Sequence, residues 1–307
     1  MSGISSSHPL VSVIISSYNY QQYVAHAINS VLEQSYQSIE IIVVDDGSSD
    51  GSPQIIKEYR EKITPIIKSN GGQASALNAG FLASHGDIIC FLDSDDFYTI
   101  SKIDKIVEVF QSHFDVGWCF HPLKYIDAND EFIAIYPPPP QNHQIEIDFR
   151  DEVIKNAKRP PWGSPTSGLC FRRSLLEKIL PIPDALTHSM DGYLRNVSVS
   201  LVRGFFLNEP LSIMRIHGSN ARYVLANPKI FLIAAYYTRE NYPQLRKLSN
   251  KLFTWGLSGV WRATSVEAIC GQTVTKYLSK ASFSEKIEIF LRTIYHFIRS
   301  FVIATKA

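Results

Sequence analysis

Four consecutive residues, Asp93-Ser94-Asp95-Asp96, directly follow an apolar run from Ile88 to Leu92. Carboxylates that close repel one another, and one takes up a proton unless a cation is shared between them. Oxygen-only ligands suit a hard divalent ion such as Mg²⁺ or Mn²⁺, which makes Asp93, Asp95 and Asp96 candidate metal ligands. The alternative is a solvated acidic loop capping a helix that starts near Ser101. A second acidic turn, Asp45-Asp46-Gly47-Ser48-Ser49-Asp50, follows another apolar run, Ile39 to Val44. Between the two turns lies Asn70-Gly71-Gly72-Gln73, whose glycines allow close backbone approach. A helical pattern follows it, and a helix N-terminus there would receive anionic groups. Upstream, Val11 to Ser16 runs into Ser17-Tyr18-Asn19. Hydroxyls, an aromatic ring, carboxylates and backbone N–H groups are together the set that suits a nucleotide and a metal-bound diphosphate.

Such distant groups act together only if the fold gathers them at one edge. Apolar runs at Val11–Ser16, Ile39–Val44, Thr64–Ile67 and Ile88–Leu92 read as strands. Helical patterns at Tyr23–Gln34, Pro53–Tyr59, Gln73–Ser84 and Ser101–Phe114 alternate with them, which predicts an α/β fold with a parallel sheet. Ligands of open α/β sheets sit at the carboxyl ends of the strands, where these acidic turns fall. The alternation stops after Val116–His121. Glu131–Tyr136 reads as an edge strand, Pro137 to Pro140 as a stiff connection, and the chain from about Asn227 as mainly helical. A boundary is expected near Arg222, giving a domain of residues 1–222 and a helical C-terminal extension of residues 223–307.

The run "VSVIISSYNY…SVLEQSYQSIEIIVVDDGSSDGS…NGGQASALNAGFLASHGDIICFLDSDD" resembles the nucleotide-sugar half of a family 2 glycosyltransferase. The resemblance is close over about residues 10–125 and looser to about residue 220, with several motifs in order at family-like spacing. It implies the GT-A fold, a Rossmann-like, mostly parallel central sheet flanked by helices. In the family, the segment matching Asp93-Ser94-Asp95 is the "DxD" motif, whose first acid faces the ribose and whose last holds the metal on the diphosphate. The resemblance places Ser16, Ser17 and Tyr18 against the nucleotide and either Asp45 or Asp46 on the base. Asn70, Gly71 and Gln73 are expected beside them.

The half over residues 126–222 is expected to hold the acceptor and the base. Ser164 to Arg173 resembles the family's acceptor-side segment, with Gly168 as a point of close approach or, alternatively, a turn into an edge strand. Asp191 precedes a helical pattern through Tyr193, Leu194 and Val197. It reads as an ordinary first-turn acid or, by resemblance, as the general base, although Met190 stands where the family usually has Glu. Arg215-Ile216-His217-Gly218-Ser219-Asn220 resembles the family's late "R-x-H-x-x-N" segment, in which His217 approaches the metal or diphosphate; the alternative is a hydrogen-bonded structural histidine. His121 reads as structural only.

Composition agrees with an enzyme of this kind. The 307 residues carry a net charge of +1, which gives no electrostatic reason to expect nucleic acid as a partner. The cysteines Cys90, Cys119, Cys170 and Cys270 form no CxxC pair and are expected reduced. No signal peptide and no membrane-spanning run is read, so the chemistry is expected in the cytoplasm. Phe283 to Phe301 reads as a basic amphipathic helix that packs on the core, pairs with a second copy as a homodimer, or lies peripherally on an anionic membrane. The expected activity is inverting, metal-dependent transfer from a nucleoside diphosphate sugar, a UDP-sugar favoured, to a glycan or lipid-linked acceptor in surface polysaccharide synthesis. The rivals are a nucleotidyltransferase, disfavoured because no glycine- and basic-rich loop follows the first strand, and a non-catalytic nucleotide-sugar-binding protein.

Overall fold

The computed structural model describes residues 8–138, 145–161, 163–187, 190–217, 228–260 and 268–304. In chain order the first elements are β1 (Val11–Ser17), α1 (Val24–Leu32), β2 (Ile39–Asp45), α2 (Ser52–Glu58), β3 (Thr64–Ile67), α3 (Gln73–Leu82), β4 (Ile88–Asp93), β5 (Asp96–Tyr98) and α4 (Lys102–Ser112). Then come β6 (Trp118–Phe120), β7 (Leu123–Ile126), β8 (Phe132–Tyr136), β9 (Ile145–Ile147), α5 (Arg150–Ile154), β10 (Leu169–Arg172), α6 (Arg173–Leu176) and α7 (Met190–Leu201). The last are β11 (Gly204–Phe206), β12 (Ser212–Arg215), α8 (Lys229–Asn241), α9 (Arg246–Val260), α10 (Ala268–Ser279) and α11 (Phe283–Ala304).

An eight-stranded sheet in the order β3-β2-β1-β4-β10-β6-β11-β9 forms the centre. Its first four strands are parallel, as the βα alternation requires. All seven residues of β1 are buried, because helices cover both faces of this part of the sheet. Val11, Val13 and Ile15 pack on one side with Val24, Ile28, Ile106 and Phe110. On the other side α3 comes so close at Gly80 that a Cβ there would lie 2.3 Å from the Ile14 side chain. The antiparallel β10 sits between β4 and β6, while β11 is parallel to β6 and β9 closes the edge antiparallel. Cys90, Cys170 and Cys119 are cross-strand neighbours in register and remain free thiols.

A four-stranded sheet, β5-β12-β7-β8, carries the second layer of architecture. The chain leaves the large sheet at Asp93 and enters the small one at Asp96, so Ser94 and Asp95 are the whole link. β12 lies antiparallel to β5 with Met214 opposite Asp96, which brings the residues after Arg215 to that same link. Glu131–Tyr136 was read as an edge strand, and β8 occupies the edge of this small sheet.

Residues group into two compact units, 1–149 with 160–220 and 150–159 with 221–307. The expected boundary at Arg222 lies outside the described residues, as do Gly218 to Asn220, His188, Ser189, Pro139 and Pro140. The second unit is helical. Tyr277 stacks on Phe253 at 3.9 Å, and its hydroxyl bonds with Ser249 Oγ and Asn250 Oδ1. Arg239 pairs with the largely buried Glu285 of α11 at 3.2 Å. Among the described residues, no helix is long and apolar enough to cross a membrane.

Candidate active site

Parallel pairing sets the ends of β1, β2 and β4 side by side. Ser16 is opposite Asp93 and Ser17 opposite Asp45. The ladder runs on into the turns, since Asp46 N–H donates to Ser17 O at 2.9 Å and Ser94 N–H to Ser16 O at 3.1 Å. Asp93 Oδ1 accepts Gln73 Nε2 at 2.6 Å and Ser16 Oγ at 3.3 Å. Burial, then the charge of Asp95, then that of Asp191 push the Asp93 carboxyl up to about 7. Asp93 is thus where three acids expected from the sequence meet electrostatically.

Asp95 faces a different set of neighbours. Its Oδ2 lies 3.3 Å from His217 Nε2, with both side chains 9% exposed. Tyr20 bonds to Asp95, and burial together with Asp95 and Asp93 raises the Tyr20 phenol well above its usual range. Tyr23 stacks on the His217 ring at 4.8 Å, and Tyr20 meets that ring edge-on at 5.7 Å. These rings fix the imidazole so that Nε2 points at the carboxylate. Asn19, Tyr20, Gln21, Gln22, Tyr23, Asp50 and His217 line a polar cleft of about 340 Å³. Its geometry begins at Asn19, whose positive φ of 57° turns the chain out of β1. Asn19 then bonds Ser48 Oγ through its N–H and Ser49 N–H through Oδ1, both at 2.8 Å.

Asp46 organises the glycine segment. It accepts Lys68 Nζ at 2.6 Å, Gly71 N–H at 3.0 Å and Gly72 N–H at 2.7 Å. The two amides directly before α3, where the sequence suggested an external anion, therefore already face the chain's own carboxylate. Gly72 has φ +84° and sits against Thr187, and Gly47 has φ +78° with Asn70 N only 2.6 Å from where a Cβ would stand. Both turns need glycine. Asp45 is fully enclosed; Oδ1 accepts Ser48 N–H at 2.9 Å and Oδ2 has no partner. Tyr18 stands 48% exposed at the open side of the strand ends.

Two expected site residues are placed elsewhere. Asp96 turns into the interior, where Oδ2 accepts Ser167 Oγ at 2.5 Å, and burial followed by the charges of Asp95 and Asp93 holds its carboxyl well above the usual carboxylate range. It begins β5, whose alternation sends its side chain inward. Ser167 Oγ also accepts Asp93 N–H at 3.1 Å, and Lys102 Nζ donates to Ser167 O at 2.8 Å and Ser212 Oγ at 3.1 Å. Lys102 is wholly buried, with its ammonium 3.4 Å from the Tyr98 ring centroid. Burial lowers its pKa, and its two hydrogen bonds satisfy the ammonium in the interior. Gly168 does allow a close approach, but to His121 O, 2.5 Å from a Cβ position, which is the chain's own backbone rather than an open acceptor surface. His121 is buried, as its structural reading requires.

Asp191 lies in the first turn of α7, 25% exposed, and its Oδ2 accepts Arg195 Nη1 at 2.7 Å. Arg195 also donates to Ser164 O, which ties it to the segment before β10. Arg195, Lys102, Ser167, Tyr20 and Tyr23 are site residues that the sequence reading missed. Only the tyrosines, directly after Tyr18-Asn19, left a signal there. Among the described residues, no group of three or more His, Cys, Asp or Glu is arranged to hold a metal alone. Asp95 and His217, 3.3 Å apart, could hold two positions of an ion whose remaining positions phosphate oxygens and water would complete.

The family model for glycosyl transferase family 2 matches residues 12–180, which include every strand end just described. The chain belongs to this family. It is 42% identical over 216 residues to an uncharacterized glycosyltransferase of Nostoc, covering 68% of this chain and 66% of that one. It is 45% identical over 226 residues to an uncharacterized glycosyltransferase of Rickettsia typhi, covering 71% of this chain and 68% of the relative. Among solved structures, Staphylococcus aureus TarS in complex with UDP-GlcNAc superposes with a TM-score of 0.62 at 16% identity, over 92% of this chain and 79% of that chain. A mannosyltransferase of Pyrobaculum calidifontis, in complex with GDP-Man and Mn²⁺, gives 0.53 at 14% identity, over 93% and 84%. These two likenesses establish the GT-A fold.

Proposed function

We propose that this glycosyltransferase moves a sugar from a nucleoside diphosphate sugar, a UDP-sugar favoured, onto a hydroxyl of a glycan or lipid-linked acceptor in surface polysaccharide synthesis, with inversion. The observation that carries the reading is the register that sets the ends of β1, β2 and β4 side by side, Ser16 opposite Asp93 and Ser17 opposite Asp45, with the charges of Asp95 and Asp191 both raising the Asp93 carboxyl. A metal-side carboxylate and a base-side carboxylate thus flank one point at the strand ends. Ser16, Ser17 and Tyr18 with Asp46 and Asn70 to Gln73 form the nucleotide side, and Asp93 with Ser94 the ribose side. Asp45 or Asp46 contacts the base; both are buried, Asp45 holding the Ser48 turn and Asp46 the Lys68 and glycine segment. That neighbouring structures hold UDP-GlcNAc, and GDP-Man with Mn²⁺, supports a nucleotide-sugar donor and a divalent ion.

In a single displacement, Asp191 takes the acceptor hydroxyl proton as that oxygen attacks the anomeric carbon. The bond from that carbon to the diphosphate breaks, and the nucleoside diphosphate leaves with the electron pair. An α-linked donor then yields a β-linked product. Arg195 engages Asp191 Oδ2 and so orients Oδ1 to take the proton. Asp95 and His217 would hold Mg²⁺ or Mn²⁺, which when bound neutralises charge on the departing diphosphate. Thermal shift and nucleotide release across a panel of nucleotide sugars, with and without Mn²⁺, test the donor assignment. Stabilisation and release with at least one nucleoside diphosphate sugar are expected. Binding without any release, with acceptor extract present, would favour the non-catalytic reading.

A further inference from the structure

Charge is divided very unevenly between the two units. Residues 150–159 and 221–307 hold 17 Lys and Arg against 6 Asp and Glu, a formal +11. Residues 1–149 and 160–220 hold 13 against 23, a formal −10. The overall +1 conceals this separation. A basic unit in a chain with an acidic site unit is the composition of a protein that meets an anionic surface with one part.

The same basic unit carries an unusual helix. α11 is 22 residues long, about 33 Å at helical rise. Ile289 and Thr293 turn inward, and Glu285 is held by Arg239. On the outer side Phe283, Ile287, Phe290, Leu291 and Ile298 are all between 45% and 80% exposed. Six of the fourteen exposed large hydrophobics among the described residues belong to this helix. By helical spacing Lys286 borders one edge of that stripe, with Glu288 and Arg292 beyond the other. Near Arg292 the cations crowd together: burial, then Arg159 and Arg292, lower the Lys251 pKa. Lys251 and Arg159 both sit over the Trp255 ring, at 5.4 and 5.5 Å, and His296 of α11 meets the same ring edge-on.

We propose that the outer face of α11 lies in the headgroup region of an anionic lipid bilayer, with the basic side chains of its unit on the phosphates. The charge excess chooses the occupant. A second copy of the chain would bring another +11 unit against the first. Nucleic acid would use the charge but leave the apolar stripe in water. An anionic bilayer satisfies both, placing ring and aliphatic groups below the headgroups and cations among them. Glu288 and Arg292 pair at 2.8 Å on the helix surface, which suits a helix lying in the interface. The inference stands independently of the sugar-transfer reading.

Co-sedimentation of the full chain with vesicles tests it, comparing mixed phosphatidylglycerol and phosphatidylcholine against phosphatidylcholine alone. Binding is expected only to the anionic vesicles and should weaken as salt is raised. Lys286→Ala should reduce partitioning roughly five-fold. Ile287→Ser with Phe290→Ser should reduce it by about ten-fold or more, with unchanged helical circular dichroism because both side chains are exposed. Equal binding to both vesicles, or none to the anionic ones, overturns the proposal. Self-association in sedimentation that the double serine variant abolishes, without vesicle binding, overturns it in favour of a second copy.

Discussion

Asp93 shows how one carboxylate reports on a whole site. It is half-buried, receives Gln73 and Ser16, and feels the charges of Asp95 and Asp191. Its carboxyl is raised to about 7 from 3.8, so the native chain holds a proton that the unfolded chain releases. The sign follows directly. This contribution to stability is fully present below the unfolded value and is lost as pH rises towards the folded one. Without a cation, the protein should lose stability between about pH 4 and 7 from this group. Mn²⁺ with UDP should therefore raise Tm more at about pH 8 than at about pH 5.5, where protons compete for the carboxylates. Equal shifts at both pH values would contradict a shared cation among these acids. The sequence made Asp93, Asp95 and Asp191 legible as acids at element ends. It did not show that Asp96, adjacent to Asp95, turns inward to Ser167, because that depends on where β5 begins.

The elements explain why four acidic residues in a row divide their roles. β4 ends at Asp93 and β5 starts at Asp96, and the two strands belong to different sheets. Asp95 reaches Tyr20 and His217 only because that step exists. The parallel strands β1 to β4 were readable, since continuous apolar runs alternate with helical periods. The antiparallel β10 between β4 and β6, and the small sheet joining β5 to β12, were not. Their strands have three or four residues, too few to carry a period. Lys102 was illegible for the same reason, as its burial comes from Ser167 and Ser212, 65 and 110 residues away. Lys102→Met should cost about 1–3 kcal/mol in urea unfolding, because Ser167 O and Ser212 Oγ lose their buried ammonium donor. A neutral effect of this variant would show that the two buried hydrogen bonds contribute nothing to stability.

At the scale of the molecule, a family 2 fold supplies the strand ends, and a basic helical unit accompanies it. The net charge of +1 hid that division because an acidic and a basic unit cancel. The central claim is that Asp191 acts as the base of a sugar transfer whose donor is held by other residues. Asn keeps an oxygen that accepts Arg195 Nη1 but takes no proton in the same way. The decisive measurement is the transfer rate of Asp191→Asn with a competent acceptor, alongside titration of the nucleoside diphosphate and Mn²⁺. Transfer should fall by about two to four orders of magnitude while nucleotide affinity stays unchanged. Near-normal transfer, or an equal loss of nucleotide binding, would contradict the assignment.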